Sequence, residues 1–266
     1  MLGKLIKHEM ATTVRVMPIF YLIIVGLVAA YGLLGLLHIP IMQIMLLTLL
    51  IMACCGLLFG SLVYMVIRYY NSMFGREGYL TQTLPVTKGA LLASRLLTSL
   101  FWLALSLLVC LGTALLLLSA SGAPLDLHTL YSAIPSQVKG LLLYTLAAFC
   151  AQGVLTLVAL YFSITLSHTR PFLKNSILFS AIWYVAISTI LSILRLIAML
   201  VVPVTISLET GRLEWGLMLT DLSELFTQTA PNVPRLGVGS IFVDLAGIAL
   251  LLCLTSWLLK RKTSVK

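Results

Sequence analysis

Two charged residues of opposite sign lie deep inside long apolar runs: Arg195, in LSILRLIAML, and Asp244, in SIFVDLAGIAL. A charge surrounded by hydrocarbon is costly and is usually kept for a partner or a task. Two chemistries fit the pair: mutual neutralisation, or recognition of a charged group on a substrate. Covalent catalysis has less to stand on. No H-E-x-x-H zinc motif, paired-glutamate motif or serine–lysine dyad is evident, and there is no G-x-x-x-x-G-K-[ST] phosphate loop. An intramembrane protease or lipid transferase needs polar groups clustered about a cavity. The five cysteines (Cys54, Cys55, Cys110, Cys150 and Cys253) all sit in apolar runs. They are expected to act as small packing residues, neither disulfide-bonded nor metal-ligating.

The elements that must position Arg195 and Asp244 follow from composition. The chain has 266 residues, 61% hydrophobic and 9% charged, with mean hydropathy +1.10. Water-soluble domains carry about 25% charged residues, so a single soluble core is excluded. Spanning a hydrocarbon layer takes about 20 apolar residues. Six stretches qualify, near 17–37, 41–67, 96–118, 140–166, 176–202 and 239–259. Backbone groups in lipid must be satisfied within their own segment, so these are expected to be helices. The expected fold is an all-α polytopic membrane protein, with residues 1–266 forming one transmembrane domain.

Charge placement sets the orientation. Thirteen of the 17 Lys and Arg fall on one side: Lys4, Lys7, Arg15, Arg68, Arg76, Lys88, Arg95, Arg170, Lys174, Lys260, Arg261, Lys262 and Lys266. Lys139, Arg212 and Arg235 fall on the other, with Asp126, Glu209, Glu214, Asp221 and Glu224. Both termini are therefore expected in the cytoplasm. The net charge of +9 is explained by this sidedness, and nucleic acid is not an expected partner. With that orientation Arg195 and Asp244 lie at similar depth, near the outer leaflet. The opening MLGKLIKHEM is followed by no small-residue cleavage site, so it reads as leading into a retained first span. Leu2, Leu5, Ile6, Thr13 and Val14 recur at helical spacing among Lys4, Lys7, His8 and Arg15, which predicts an interfacial helix over 1–16.

The most elaborate polar segment is FGREGYLTQTLP, residues 74–85. It follows Arg68-Tyr69-Tyr70, a basic and aromatic interfacial belt, and Asn71-Ser72, which could cap a new turn. Tyr79, Leu80 and Leu84 give a short surface helix an apolar side, and Pro85 stops it. Thr87 is a good N-cap for a helix running from Lys88 into the third span. The pattern predicts a helix–proline–helix elbow on the cytoplasmic side, built for something to dock on. In the second span Gly56-x-x-x-Gly60 fits close helix packing.

These features together resemble permease subunits of the type-2 ABC-transporter family. Its cytoplasmic loop between spans two and three commonly carries an acidic residue, Gly, then Leu-Pro-Val-Ser/Thr. The matching residues here are Glu77, Gly78, Leu84, Pro85, Val86 and Thr87, and Lys7-His8-Glu9 with Arg15 is similar to the family opening. The topology match covers the whole chain, the residue-level match about the first hundred residues. The resemblance implies that residues 68–95 form a coupling loop seated in a separate ATPase subunit, with Arg76, Glu77, Gly78, Tyr79, Leu80, Leu84, Pro85, Val86 and Thr87 at the contact. It further implies a homodimer or heterodimer of permeases in a bacterial inner (cytoplasmic) membrane, exporting an amphipathic or hydrophobic substrate such as a peptide, lipid, drug or natural product. No cofactor is expected on this chain; ATP and Mg belong to the partner ATPase. Other readings are a non-transporting membrane partner in a signalling or immunity complex, an intramembrane enzyme, and an ion-coupled transporter working alone.

Between spans five and six, residues 203–238 form an external loop. The apolar tail broken by Pro203 reads as the end of a long span or as a short re-entrant helix, and the resemblance favours the second. The segment RLEWGLMLTDLSELF, 212–226, reads as an external amphipathic helix at a lipid or partner surface.

Overall fold

The structure, a computed structural model, describes residues 2–37, 40–75, 87–120, 135–169, 175–207, 212–219 and 235–261. Six of its helices are long and apolar enough to cross a membrane, and the chain is a multi-pass membrane protein. Large apolar side chains stand open along these helices, Phe59 at 72% and Ile177 at 71% exposure. Such surfaces are untenable in water and ordinary against lipid. The chain divides into two compact units, Met1–Leu130 and Tyr131–Lys266.

The first unit holds α1 (Leu2–Thr13), α2 (Met17–Leu36), α3 (Pro40–Met73) and α4 (Lys88–Ala120). Proline begins α3 and stands in the first turn of α2, where its missing N–H breaks no helical bond. Both α3 and α4 run past the apolar stretches expected to span. At 34 residues α3 is about 51 Å long, well over a hydrocarbon core of about 30 Å. Arg68, Tyr69 and Tyr70 interrupt the apolar run without interrupting the helix. Asn71 and Ser72 accordingly lie inside α3 and do not cap a new turn. The helix stops where the N–H groups of Phe74 and Gly75 both reach the Tyr70 carbonyl, at 2.9 and 3.0 Å. A Cβ on Gly75 would stand 2.8 Å from the Asn71 backbone, so this ending requires glycine. At the start of α4 the Ala90 N–H points at Thr87 Oγ1, 3.4 Å away, a long N-cap bond.

Lipid supplies no hydrophobic force between helices, so packing and polar contacts must hold them together. In the first unit α4 is the common partner. Trp102 Nε1 donates to Thr13 Oγ1 on α1 at 2.8 Å. Tyr21 on α2 stacks on Trp102 with centroids 6.1 Å apart, and its hydroxyl meets Ser106 Oγ at 3.0 Å. Cys54 Sγ on α3 lies 3.4 Å from Thr113 Oγ1. Thr13, Ser106 and Thr113 also donate to carbonyls three or four residues back in their own helices. That is how hydroxyls satisfy themselves where water is excluded.

The second unit holds α5 (Ser136–Ser167), α6 (Ser176–Val201), α7 (Gly239–Arg261) and three short strands: β1 (Thr205–Ser207), β2 (Leu213–Glu214) and β3 (Arg235–Gly237). The three helices pack on one another, and a Cβ on Gly247 of α7 would come 3.2 Å from Leu155 of α5 and 3.3 Å from Leu191 of α6. The strands form an antiparallel sheet in the order β2-β1-β3, with Thr205 opposite Glu214 and Gly237. Glycine lets β3 lie against the last turn of α6. A Cβ on Gly237 would collide with the Met199 carbonyl, and one on Gly239 with the Ala198 carbonyl. Tyr144 of α5 donates to the Gly237 carbonyl at 3.1 Å. The start of α5, the end of α6 and the start of α7 thus meet at the sheet.

This sheet corrects two expectations. Among the described residues no helix follows directly on Pro203: Val202 is extended at φ −73°, ψ 122° and the chain enters β1. The residue before a proline disfavours helical geometry, and Thr205 and Ile206 are β-branched residues suited to a ladder. Nor does an amphipathic helix begin at Arg212, because Leu213 and Glu214 pair with β1. Gly216 further weakens a helix there. Met218 and Leu219 are helical, and residues 220–226 lie outside the described residues.

Candidate functional site

The structure brings Arg195 and Asp244 together. Arg195 Nε lies 3.0 Å from Asp244 Oδ1, with the side chains 22% and 4% exposed. The contact joins α6 to α7. Arg195 lies six residues before the end of α6 and Asp244 five residues after the start of α7, so both occupy the sheet end of the unit. Beside Arg195 a cavity of about 50 Å³ is lined by Gln152, Thr156, Tyr184, Ser188 and Ser192. Ligand pockets for drug-sized molecules occupy about 300–1,000 Å³, well above the volume of this cavity. A larger cleft of about 380 Å³ between α6 and α7 is lined by apolar side chains and Gly247, and offers no partner to a charged group. The contact is one in which each charge has the other as its neighbour.

The pair makes an asymmetric prediction. Arg195→Leu leaves the nearly enclosed Asp244 carboxylate alone, whereas Asp244→Leu leaves an arginine whose long side chain can extend toward the helix end. Removing one partner of a buried ion pair costs about 3–5 kcal/mol, and removing both is often close to neutral. Arg195→Leu should therefore lower the melting temperature in detergent more than Asp244→Leu, and the double variant should lose less than the two combined. Strictly additive losses would show that the contact carries no coupling.

A second ion cluster was not singled out from the sequence. Glu9 of α1 is 6% exposed, and its carboxylate meets two guanidiniums. Oε1 lies 3.0 Å from Arg95 Nη2 on α4, and Oε2 lies 3.5 Å from Arg68 Nε on α3. Glu9 and Thr13, four residues apart, form the buried side of α1, which packs against α4. Three elements are thereby joined at one point: α1, the last turns of α3 and the first turns of α4. One signal was available. Glu9 is the sole acid in the basic segment before the first span, and a lone carboxylate there invites a cationic partner.

Of the expected coupling residues, Thr87 is described and precedes α4. Arg76, Glu77, Gly78, Tyr79, Leu80, Leu84, Pro85 and Val86 lie outside the described residues. In α3, a Cβ on Gly60 would make an ordinary 3.8 Å contact with Phe20 of α2, whereas one on Gly56 would meet nothing within 4 Å. The five cysteines are all free, and no cluster of metal-ligating side chains occurs among the described residues. Compared with known proteins, the chain matches no family model, no curated protein and no solved structure.

Proposed function

We propose that this protein is the membrane-spanning permease subunit of an ATP-driven ABC exporter, working as a dimer with a separate ATPase. The observation that carries the reading is the Glu77-Gly78…Leu84-Pro85-Val86-Thr87 sequence between α3 and α4, whose flanking turns both ion-pair with Glu9. In this reading the ATPase docks on Tyr79, Leu80 and Leu84 from the cytoplasmic side. Displacement of that segment acts on the end of α3 and the start of α4. Because one carboxylate holds Arg68 and Arg95, α1 moves with both, and the three elements respond as one lever. The apolar helix surfaces suit amphipathic or hydrophobic cargo.

Without a phosphate loop of its own, the chain should hydrolyse ATP only in company. The test is purification from its native membrane with its neighbours preserved. An ATPase subunit should co-purify in stoichiometric amount, and ATP hydrolysis should track the complex. Robust hydrolysis by this chain alone, or reconstituted transport with no ATPase present, would overturn the reading.

A further inference from the structure

The segment that begins with β2 carries its large apolar side chains outward. Leu213, Trp215, Leu217 and Leu219 are exposed at 67%, 85%, 38% and 54%, while Glu214, Gly216 and Met218 between them are partly buried. A sheet edge in water normally turns alternate apolar residues inward and leaves polar ones outside. Here the alternation is inverted. The apolar side needs a cover, and the surrounding geometry says which.

The sheet is held close to the ends of α6 and α7. β1 begins four residues after α6 ends, and β3 ends two residues before α7 begins. Val238 donates its N–H to the Val204 carbonyl at 2.9 Å, and Gly237 packs on the Met199 carbonyl. Neighbouring strands are about 4.8 Å apart, so β2, on the far edge in the order β2-β1-β3, lies about 10 Å from β3. With 26 residues α6 is about 39 Å long, against a hydrocarbon core of about 30 Å and a total bilayer thickness of about 40–45 Å. A helix of that length ends within the headgroup layer, and the sheet attached to it shares that layer. The lipid-facing surface also runs up to it without a break: Ile193, Leu196, Ile197 and Val201 of α6 and Phe242 of α7 are all at least half exposed. Tryptophan is the side chain most at home at this depth, with an apolar body and a polar N–H.

We propose that Leu213, Trp215, Leu217 and Leu219 form a membrane-inserted edge, with the bilayer that α6 and α7 cross as its partner. The apolar side chains enter the boundary between headgroups and acyl chains. The inference rests on the placement of the sheet and is independent of what the protein transports. It fixes the β2 end of the external segment to the lipid surface and leaves the docking segment at 74–85 untouched.

The protein contains four tryptophans, so 5-fluorotryptophan labelling yields four fluorine resonances. The full chain is placed in nanodiscs of mixed phosphatidylcholine and phosphatidylglycerol. Trp215→Phe identifies its resonance by loss, and unchanged positions of the other three show that the fold persists. Two relaxation agents are then compared: a lipid with a nitroxide high on its acyl chain, and a gadolinium chelate in the water. The Trp215 resonance should lose several-fold more intensity to the lipid nitroxide than to the chelate. A loss to the chelate equal to or greater than the loss to the lipid would place the edge in water. Insensitivity to both would assign the edge to a second copy of the chain or another protein. Either result overturns the proposal.

Discussion

Glu9→Gln should lower the melting temperature on the order of 10 °C, since stranding buried charges costs about 3–5 kcal/mol. The substitution keeps the shape of the side chain and removes its charge. The group with Arg68 and Arg95 then goes from one excess positive charge to two, in a site where the carboxylate is 8% and the Arg95 side chain 4% exposed. The distances order the partner variants. Arg95→Gln removes the 3.0 Å contact from the more enclosed arginine, and Arg68→Gln the 3.5 Å contact from one that is 14% exposed. Arg95→Gln should therefore cost more than Arg68→Gln. Both arginines have further interactions, so neither loss measures the Glu9 contact alone. Thermal unfolding of the three variants in one detergent checks the order. Melting of Glu9→Gln indistinguishable from the parent would show that α1 is held by apolar packing and the Trp102–Thr13 bond without help from the ions.

Leu80→Asp should, on the proposed reading, abolish transport while leaving insertion and expression intact, because position 80 falls outside every spanning stretch of the sequence. On the proposed reading Leu80 enters a groove of the ATPase together with Tyr79 and Leu84. A carboxylate there would be buried without a partner, the more severe kind of interface defect. Tyr79→Ala removes the aromatic anchor, the side chain type that dominates binding hot spots, and should cost more than 1 kcal/mol of association. Changes at the rim charges Arg76 and Glu77 should cost little. Pro85→Ala separates docking from force transmission: the docking side chains remain, but the link to Thr87 and α4 loosens. It should retain ATPase binding better than it retains transport. Co-purified ATPase and substrate efflux, measured for each variant, resolve the cases. Unimpaired efflux in Leu80→Asp would refute the coupling role and leave 74–85 as a solvated turn at the lipid headgroups.

The sequence by itself determined the number and the approximate places of the spanning helices, because that property is local, though not how far α3 and α4 run beyond the apolar stretches. Hydrocarbon forces each apolar run to satisfy its own backbone, so a run of sufficient length needs no tertiary information to be read as a helix. The same locality made Thr87 legible as a cap and Arg195 and Asp244 legible as charges out of place. Their contact joins positions far apart in the chain and depends on how α6 and α7 are rotated against each other. Tertiary structure alone revealed the Glu9 cluster. Arg68 and Arg95 look like ordinary basic residues at the ends of spans, and only the approach of α1 to α3 and α4 makes them ligands of one carboxylate.

The segment between α6 and α7 shows where local reading fails. Leu213, Leu217, Glu214 and Asp221 fit a helical period well enough, yet Leu213 and Glu214 pair in a sheet. The ladder is non-local: β1 pairs with β2 across a few residues and with β3 only after a long excursion of the chain. It is held against α6 by glycines whose role appears only when the Met199 and Ala198 carbonyls come into contact. Helix propensity is a property of neighbours in sequence, while strand pairing is a property of neighbours in space. The sequence could therefore specify which runs are long and apolar enough to span, and the tertiary structure had to decide which residues pair between them.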